Sequence, residues 1–167
     1  MSKRYKYIGV VVCILLSAVL AGCGGTELEN KSFPMAVLVE AENDQYRVCY
    51  LEQDLSEVSN EQRSDGGNMT AASAVGSTYY ETQKAYEKNN RCQLDLSHTK
   101  VIVFHKGFIE NGSLELFLET VKKENTYARN TLIFLADSSM EKMAELNNKL
   151  EVPFGSYMEQ MIENEQD

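Results

Sequence analysis

Alternating apolar and polar positions in the first third of the chain predict a pair of strands. The two runs cover 33–42 and 45–52, and the polar residues Glu42-Asn43-Asp44 mark a turn between them, so a β-hairpin is the natural pairing. Successive side chains of a strand point to opposite faces. One face of the second run therefore carries Tyr46, Val48 and Tyr50, and the other carries Arg47, Cys49 and Leu51.

A helical period follows the hairpin and predicts a helix from Thr70 to about Asn89. The positions that carry this period are Val75, Tyr79, Thr82 and Tyr86. Thr70 is the expected N-cap, and Gly76 inside the helix costs about 1 kcal/mol relative to Ala. Residues 53–68, which precede the helix, are polar and end in a strong turn signal, so they predict a long connection.

Two apolar runs in the second half of the chain, 101–104 and 131–136, predict further strands. The helix between them begins at Asn111-Gly112-Ser113, and its apolar stripe is Leu114, Phe117, Leu118 and Val121. Two parallel strands joined by a helix take a right-handed crossover. After the second run, Ser138-Ser139-Met140-Glu141 is a capping box that opens a helix to about Leu150. Pro153 begins the last helix.

These elements predict one mixed α/β domain of the α+β class. A β-hairpin and a β-α-β unit together form a mixed sheet of about four strands with flanking helices. The length of 167 residues fits a single domain.

The N-terminal segment has the features of a lipoprotein signal peptide. Lys3, Arg4 and Lys6 precede an apolar stretch over 8–21, which is shorter than the ~18–20 residues that span a bilayer. The stretch ends in Leu20-Ala21-Gly22-Cys23, which resembles the lipobox of bacterial lipoproteins. This motif predicts cleavage between Gly22 and Cys23 and lipid attachment to Cys23; a plain cleaved signal or an uncleaved anchor are the alternatives.

The expected chain organisation follows from this segment. Residues 1–22 are the signal peptide, 23–32 the lipidated cysteine and tether, 33–163 the folded domain, and 164–167 a polar tail. A single acyl chain holds a protein only marginally, so durable anchoring needs two or three chains on Cys23.

The charge of the chain excludes two kinds of partner. The net charge is −9, and the part after Cys23 carries −12 because it holds 13 basic against 25 acidic residues. A nucleic-acid binder needs a basic face to replace phosphate counterions. Charge alone likewise gives no attraction to anionic lipid.

Four cysteines suggest redox or metal chemistry, but two belong to the N-terminal segment. Cys13 leaves with the signal peptide, and Cys23 is used by lipid. Cys49 and Cys92 either form a disulfide in an oxidising exterior or stay two buried free thiols. The sequence has no C-x-x-C pair, which excludes a thioredoxin-like site and a zinc ribbon.

The remaining polar residues do not form a catalytic pattern. His98 and His105 are expected at the two ends of a strand, on opposite faces, with Asp95 close enough to pair with His98. The sequence lacks a nucleophile elbow, a P-loop and a zincin motif. We therefore expect no enzyme activity, no metal and no cofactor. Tyr79 and Tyr80 are adjacent, so one of them is expected at the surface, where it can contact a partner.

The order of these segments resembles the Ger(x)C family, the C-subunit lipoproteins of spore germinant receptors. The similar stretches are Thr26 to Glu29 with Phe33-Pro34, Leu94 to Phe104, Asn111-Gly112-Ser113 with the helix that follows, Thr131 to Ala136, Ser138 to Glu141, and Pro153 to Ile162. Family members usually continue with further domains and carry a tryptophan soon after the lipid cysteine, whereas this sequence has no Trp and ends at Asp167. The resemblance therefore concerns the N-terminal domain.

The resemblance implies a non-enzymatic interaction subunit in nutrient-triggered germination. It would be anchored through Cys23 to the outer face of the spore inner membrane and would work beside integral-membrane A- and B-type receptor subunits. The alternative function is an extracellular surface lipoprotein that binds a small ligand or acts as an adaptor module.

Overall fold

The computed structural model describes residues 30–42, 45–53, 69–110, 112–124 and 126–165. The strands are β1 (Lys31–Ser32), β2 (Ala36–Glu42), β3 (Gln45–Gln53), β4 (Met69–Gly76), β5 (Gln93–Leu94), β6 (Val101–His105) and β7 (Leu132–Ala136). The α-helices are α1 (Tyr79–Asn90), α2 (Lys106–Glu110), α3 (Ser113–Glu124), α4 (Met140–Asn147) and α5 (Phe154–Glu165), with a 3-10 helix at Leu96–His98.

Five strands form one mixed sheet in the order β4-β3-β2-β6-β7. The hairpin β2–β3 and the pair β3–β4 are antiparallel, whereas β2–β6 and β6–β7 are parallel. The short strands β1 and β5 pair in parallel as a separate two-stranded sheet. The predicted α+β class, the hairpin and the β-α-β unit are confirmed, with one strand more than the four predicted.

The sheet is covered on both faces, and each face has its own apolar cluster. The first face carries Tyr46, Val48 and Tyr50 of β3 and packs against side chains of α1, α2 and α3. The second face carries Cys49 and Leu51 and packs against α4 and α5. The alternation predicted for the second strand of the hairpin is therefore confirmed.

The predicted helix from Thr70 to Asn89 is wrong in its first half. Residues 69–76 form β4, and the helix starts only at Tyr79, with Thr78 as the N-cap that accepts from the Glu81 amide at 3.2 Å. Thr70 is therefore a strand residue, and Gly76 pairs with Tyr46 across the sheet. Strand pairing with β3 overrides the helix propensity of the alanines in this segment, because it satisfies the backbone hydrogen-bonding groups along the outer side of β3.

The later elements begin close to their predicted positions. Helix α4 starts at Met140, although its N-cap Ser139 makes no side-chain capping hydrogen bond, and it ends at Asn147, before the predicted Leu150. Helix α5 follows Pro153 directly. The short helix α2 was not predicted. In the part of the chain that the structure describes, every helix is too short or too polar to cross a bilayer.

Gly155 in α5 is a point of close backbone approach. A Cβ at this position would lie 2.2 Å from the carbonyl oxygen of Met35. That carbonyl is fixed because it accepts from the Lys100 amide at 3.0 Å, while the Met35 amide donates to Leu51 at 2.9 Å. The glycine therefore allows α5 to lie directly on the start of β2.

Replacing Gly155 by Ala tests this approach. We expect Gly155→Ala to lower the free energy of unfolding by about 1–3 kcal/mol through overpacking, even though Ala is favoured over Gly in a helix by up to ~1 kcal/mol. Urea unfolding of the purified protein measures the change. The control is Ser156→Ala, for which we expect a change within roughly 0.5 kcal/mol. A Gly155→Ala protein as stable as the unsubstituted one would contradict the close approach.

Candidate functional site

The predicted lipidation site at Cys23 lies outside the described residues. The first described strand after it is β1, whose Lys31 and Ser32 pair with Gln93 and Leu94 of β5. We call β1 with its side-chain partners the N-terminal root.

A partly buried hydrogen-bond network fixes the root to the main sheet. The Ser32 hydroxyl donates to Glu52 Oε1 at 2.5 Å, and the Tyr86 hydroxyl donates to the same carboxylate oxygen. Ser32 and Tyr86 are themselves 3.1 Å apart, oxygen to oxygen. The pKa of Tyr86 is raised, first by burial and then by its hydrogen bond to Glu52. One carboxylate therefore ties β1, β3 and α1 together.

An ion pair between Lys31 of β1 and Asp95 also holds the root. Lys31 Nζ lies 3.4 Å from a carboxylate oxygen of Asp95. Asp95 also caps the 3-10 helix by accepting from the Ser97 amide at 3.2 Å and the Ser97 hydroxyl at 2.6 Å. The pKa of Asp95 is lowered, mainly by the Ser97 hydroxyl, with a smaller contribution from Lys31. The Asp95 carboxylate thus bonds to Ser97 and Lys31, not to His98, which the sequence allowed as a partner.

The two histidines make local contacts at separate places in the structure. His98 ends the 3-10 helix, and its ring meets the Phe33 ring edge-on with centroids 5.7 Å apart. His105 ends β6, where its Nδ1 accepts from the Gly107 amide at 3.2 Å. Among the described residues, no group of three His, Cys, Asp or Glu side chains is arranged to hold a metal ion.

The structure keeps the two thiols of the domain apart. Cys49 and Cys92 are both free, and Cys49 belongs to the second-face cluster whereas Cys92 packs against the first-face cluster. The sheet therefore separates the two residues that the sequence allowed to form a disulfide. Burial raises the pKa of the Cys49 thiol to about 12. The pKa of Cys92 is also raised, first by burial and then by the charge of Glu52.

The edge strand β7 exposes an apolar surface. Ile133 and Leu135 pair in register with Ile102 and Phe104 of β6, which places them on the first face of the sheet. Each of these two side chains is 58% exposed, whereas Ile102 and Phe104 are buried. The first-face cluster thus ends at β6 and leaves the outer strand bare. No other described strand pairs with the outer side of β7, and we call Ile133 and Leu135 with this side of the strand the β7 edge.

The helices on the first face carry a second apolar surface. An open groove of about 490 Å³ runs between α2 and α3 and is lined by Ile109, Gly112, Leu114, Glu115, Leu118, Glu119 and Lys122. Ile109 and Leu118 are exposed there. The predicted stripe of α3 is therefore only partly used by the core, since Phe117 is its one fully buried member in the described helix.

A smaller, half-open cavity of about 370 Å³ lies beside α1. Its walls are Tyr80, Gln83, Lys84, Glu87, Leu94, Asp95, Leu96, Glu124 and Thr126. Most of its charged groups are already paired: Lys84 contacts Glu87 at 2.7 Å, and Glu87 accepts from the Leu94 amide at 3.1 Å. Tyr80 is 50% exposed at its rim while Tyr79 is buried, which confirms that one of the adjacent tyrosines is at the surface.

The network at the root gives a direct test. We expect Tyr86→Phe to lower the free energy of unfolding by about 1–2 kcal/mol, because it removes a hydrogen bond to a charged group. Ser32→Ala should cost more in the Tyr86→Phe background than in the unsubstituted protein, because the Glu52 carboxylate then keeps neither hydroxyl donor. Thermal and urea unfolding measure both effects.

Tyr80→Phe is the matched control for this prediction. Tyr80 is the exposed neighbour in the same helix, so its change should stay within roughly 0.5 kcal/mol. Strictly additive losses for Ser32→Ala and Tyr86→Phe would contradict a shared carboxylate.

Comparison with known proteins identifies one family. A sequence model described as the spore germination protein N-terminal domain matches residues 24–167. No curated protein matches the chain, and no solved structure matches it.

Proposed function

This chain belongs to the family of spore germination protein N-terminal domains, and we propose that it acts as a lipid-anchored, non-enzymatic subunit of the germinant-receptor C type. The observation that carries the proposal is the family match from residue 24 onward, directly after the lipobox-like Leu20-Ala21-Gly22-Cys23. The family match therefore begins one residue after the anchor motif ends.

The proposed anchor limits how far the domain stands from the membrane. Signal cleavage between Gly22 and Cys23 and lipidation of Cys23 would leave seven peptide steps to Asn30, where the described domain begins. A fully extended chain spans at most ~3.6 Å per residue, so this tether reaches about 25 Å. The N-terminal root, which Glu52 holds to the sheet, would then lie within about 25 Å of the lipidated Cys23.

The proposed function of the domain is to bind other proteins. Its partners would be integral-membrane A- and B-type receptor subunits on the outer face of the spore inner membrane. Two exposed apolar surfaces support such a role, the β7 edge and the groove between α2 and α3, because exposed aliphatic side chains in a contiguous surface commonly mark contact sites. The raised pKa of Cys49 removes that thiol from nucleophilic chemistry near neutral pH.

A second candidate function is capture of a small ligand by a surface lipoprotein. The cavity beside α1 favours it, since about 370 Å³ is within the usual range for small-molecule sites. The buried Thr126 hydroxyl oxygen at this cavity has no hydrogen-bond partner among the described residues. The receptor role is preferred because most of the charged groups of the cavity already have partners: Lys84 contacts Glu87, and Asp95 accepts from Ser97.

Replacing Cys23 tests the anchor and the role together. We expect Cys23→Ala to abolish incorporation of labelled palmitate and to release most of the protein from spore membranes, because the thioether needs the thiol. Germination in response to nutrients should slow in the same spores. Cys13→Ala is the matched control, since it removes a cysteine of the same segment without touching the motif.

The two parts of the proposal can fail separately. Loss of membrane retention with normal germination would keep the anchor and overturn the receptor role. Palmitate labelling that persists in Cys23→Ala would overturn the anchor. Recovery of the tagged protein from spore membranes without either polytopic receptor subunit, or synthesis only in vegetative cells, would favour the ligand-capturing alternative.

A further inference from the structure

Arg91 closes α1 in a backbone conformation that arginine rarely adopts. Its φ of 53° and ψ of 33° lie in the left-handed region, and it is the one residue other than glycine with a positive φ in the described part of the chain. The Arg91 and Cys92 amides both donate to the Glu87 carbonyl, which is a common way to end a helix on a left-handed residue. Glycine takes this position at little cost, whereas a larger side chain crowds the following carbonyl.

Local structure explains Lys88 but not Arg91. A cation in the last turn of a helix is stabilised by the helix dipole, and Lys88 supplies that cation in α1. No ion pair between described residues includes either side chain, and both are exposed. Strained backbone positions cluster at functional sites. We therefore expect the Arg91 side chain to bind a group outside this domain.

Arg91 lies beside the N-terminal root. The Cα atoms of Gln93 and Lys31 are partners across β5 and β1, and paired strands are about 4.8 Å apart. Arg91 comes two residues before Gln93, so its Cα lies at most roughly 12 Å from that of Lys31. We call residues 88–91, which are all exposed and include no acid, the α1 corner.

The charge of the α1 corner is opposite to that of the chain as a whole. The corner carries two cations, whereas the chain after Cys23 carries −12. The carboxylates closest to the corner in the sequence, Glu87 and Asp95, are paired with Lys84 and Lys31. A guanidinium group binds phosphate through two parallel hydrogen bonds. The proposed tether of about 25 Å brings the phosphates of a lipid bilayer within reach of this corner.

We propose that the α1 corner binds anionic phospholipid headgroups, with Arg91 as the main contact, and so fixes the orientation of the domain on the membrane that holds Cys23. The inference rests on the proposed lipid anchor. Because the chain as a whole is acidic, the corner does not recruit the domain to the membrane. The anchor keeps the domain at the surface, and the corner turns the C-terminal end of α1 toward the headgroups.

A single introduced tryptophan measures this contact, because the chain has no native Trp. The full chain with Asn89→Trp, purified with a palmitate label on Cys23, is reconstituted into vesicles of phosphatidylcholine with or without phosphatidylglycerol. Nitroxide groups on the lipid headgroups quench a tryptophan that lies beside them. We expect stronger quenching in the anionic vesicles, and this increase should disappear in about 1 M salt, where the Debye length is about 3 Å.

The matched control is Glu145→Trp. Glu145 is an exposed residue of α4, which packs on the face of the sheet opposite to α1. Its tryptophan should be quenched more weakly in both kinds of vesicle, although the anchor is the same.

Arg91→Gly separates the lipid contact from the stability of the fold. In the Asn89→Trp chain it should lower the ratio of contacting to free orientations roughly fivefold in anionic vesicles, since one arginine near an anionic surface contributes about that factor. The same change should raise the ratio of folded to unfolded protein about fivefold in urea unfolding, because glycine relieves the left-handed strain. Arg91→Lys keeps the charge and should weaken the contact less than Arg91→Gly.

The inference and the anchor can fail separately. Equal quenching of the lipidated Asn89→Trp chain in both kinds of vesicle overturns the inference alone. A gain in stability by Arg91→Gly without a loss of quenching also overturns it, because Arg91 is then a strained residue with no contact at the membrane. Absence of the palmitate label from Cys23 overturns the anchor and this inference together.

Discussion

Burial of β2 on both faces is the constraint on which the rest of the structure depends. Residues 36–39 of this strand are at most 1% exposed. β2 lies between an antiparallel neighbour and a parallel one, so its backbone groups are satisfied within the sheet. Both faces then need a cover of helices. Helix α5 reaches the second face only because Gly155 admits the carbonyl of Met35, and α1 to α3 close the first.

The sequence predicts those elements whose apolar spacing has one interpretation. The hairpin, the strand at 101–104 and the starts of α3, α4 and α5 are all found close to their predicted positions. β4 was missed because Ala71 to Ala74 are small residues that suit either structure, and Val75 fitted the period of the helix that follows. Only pairing with β3, which is a long-range interaction, makes this segment a strand.

The candidate surfaces were less predictable than the fold, and the reason is topological. The runs VIVF at 101–104 and LIFLA at 132–136 look alike, yet the first is buried and the second leaves Ile133 and Leu135 exposed. The difference is their place in the sheet order, which no local pattern encodes. The root network is similar, because Ser32, Glu52 and Tyr86 are brought together by three separate elements.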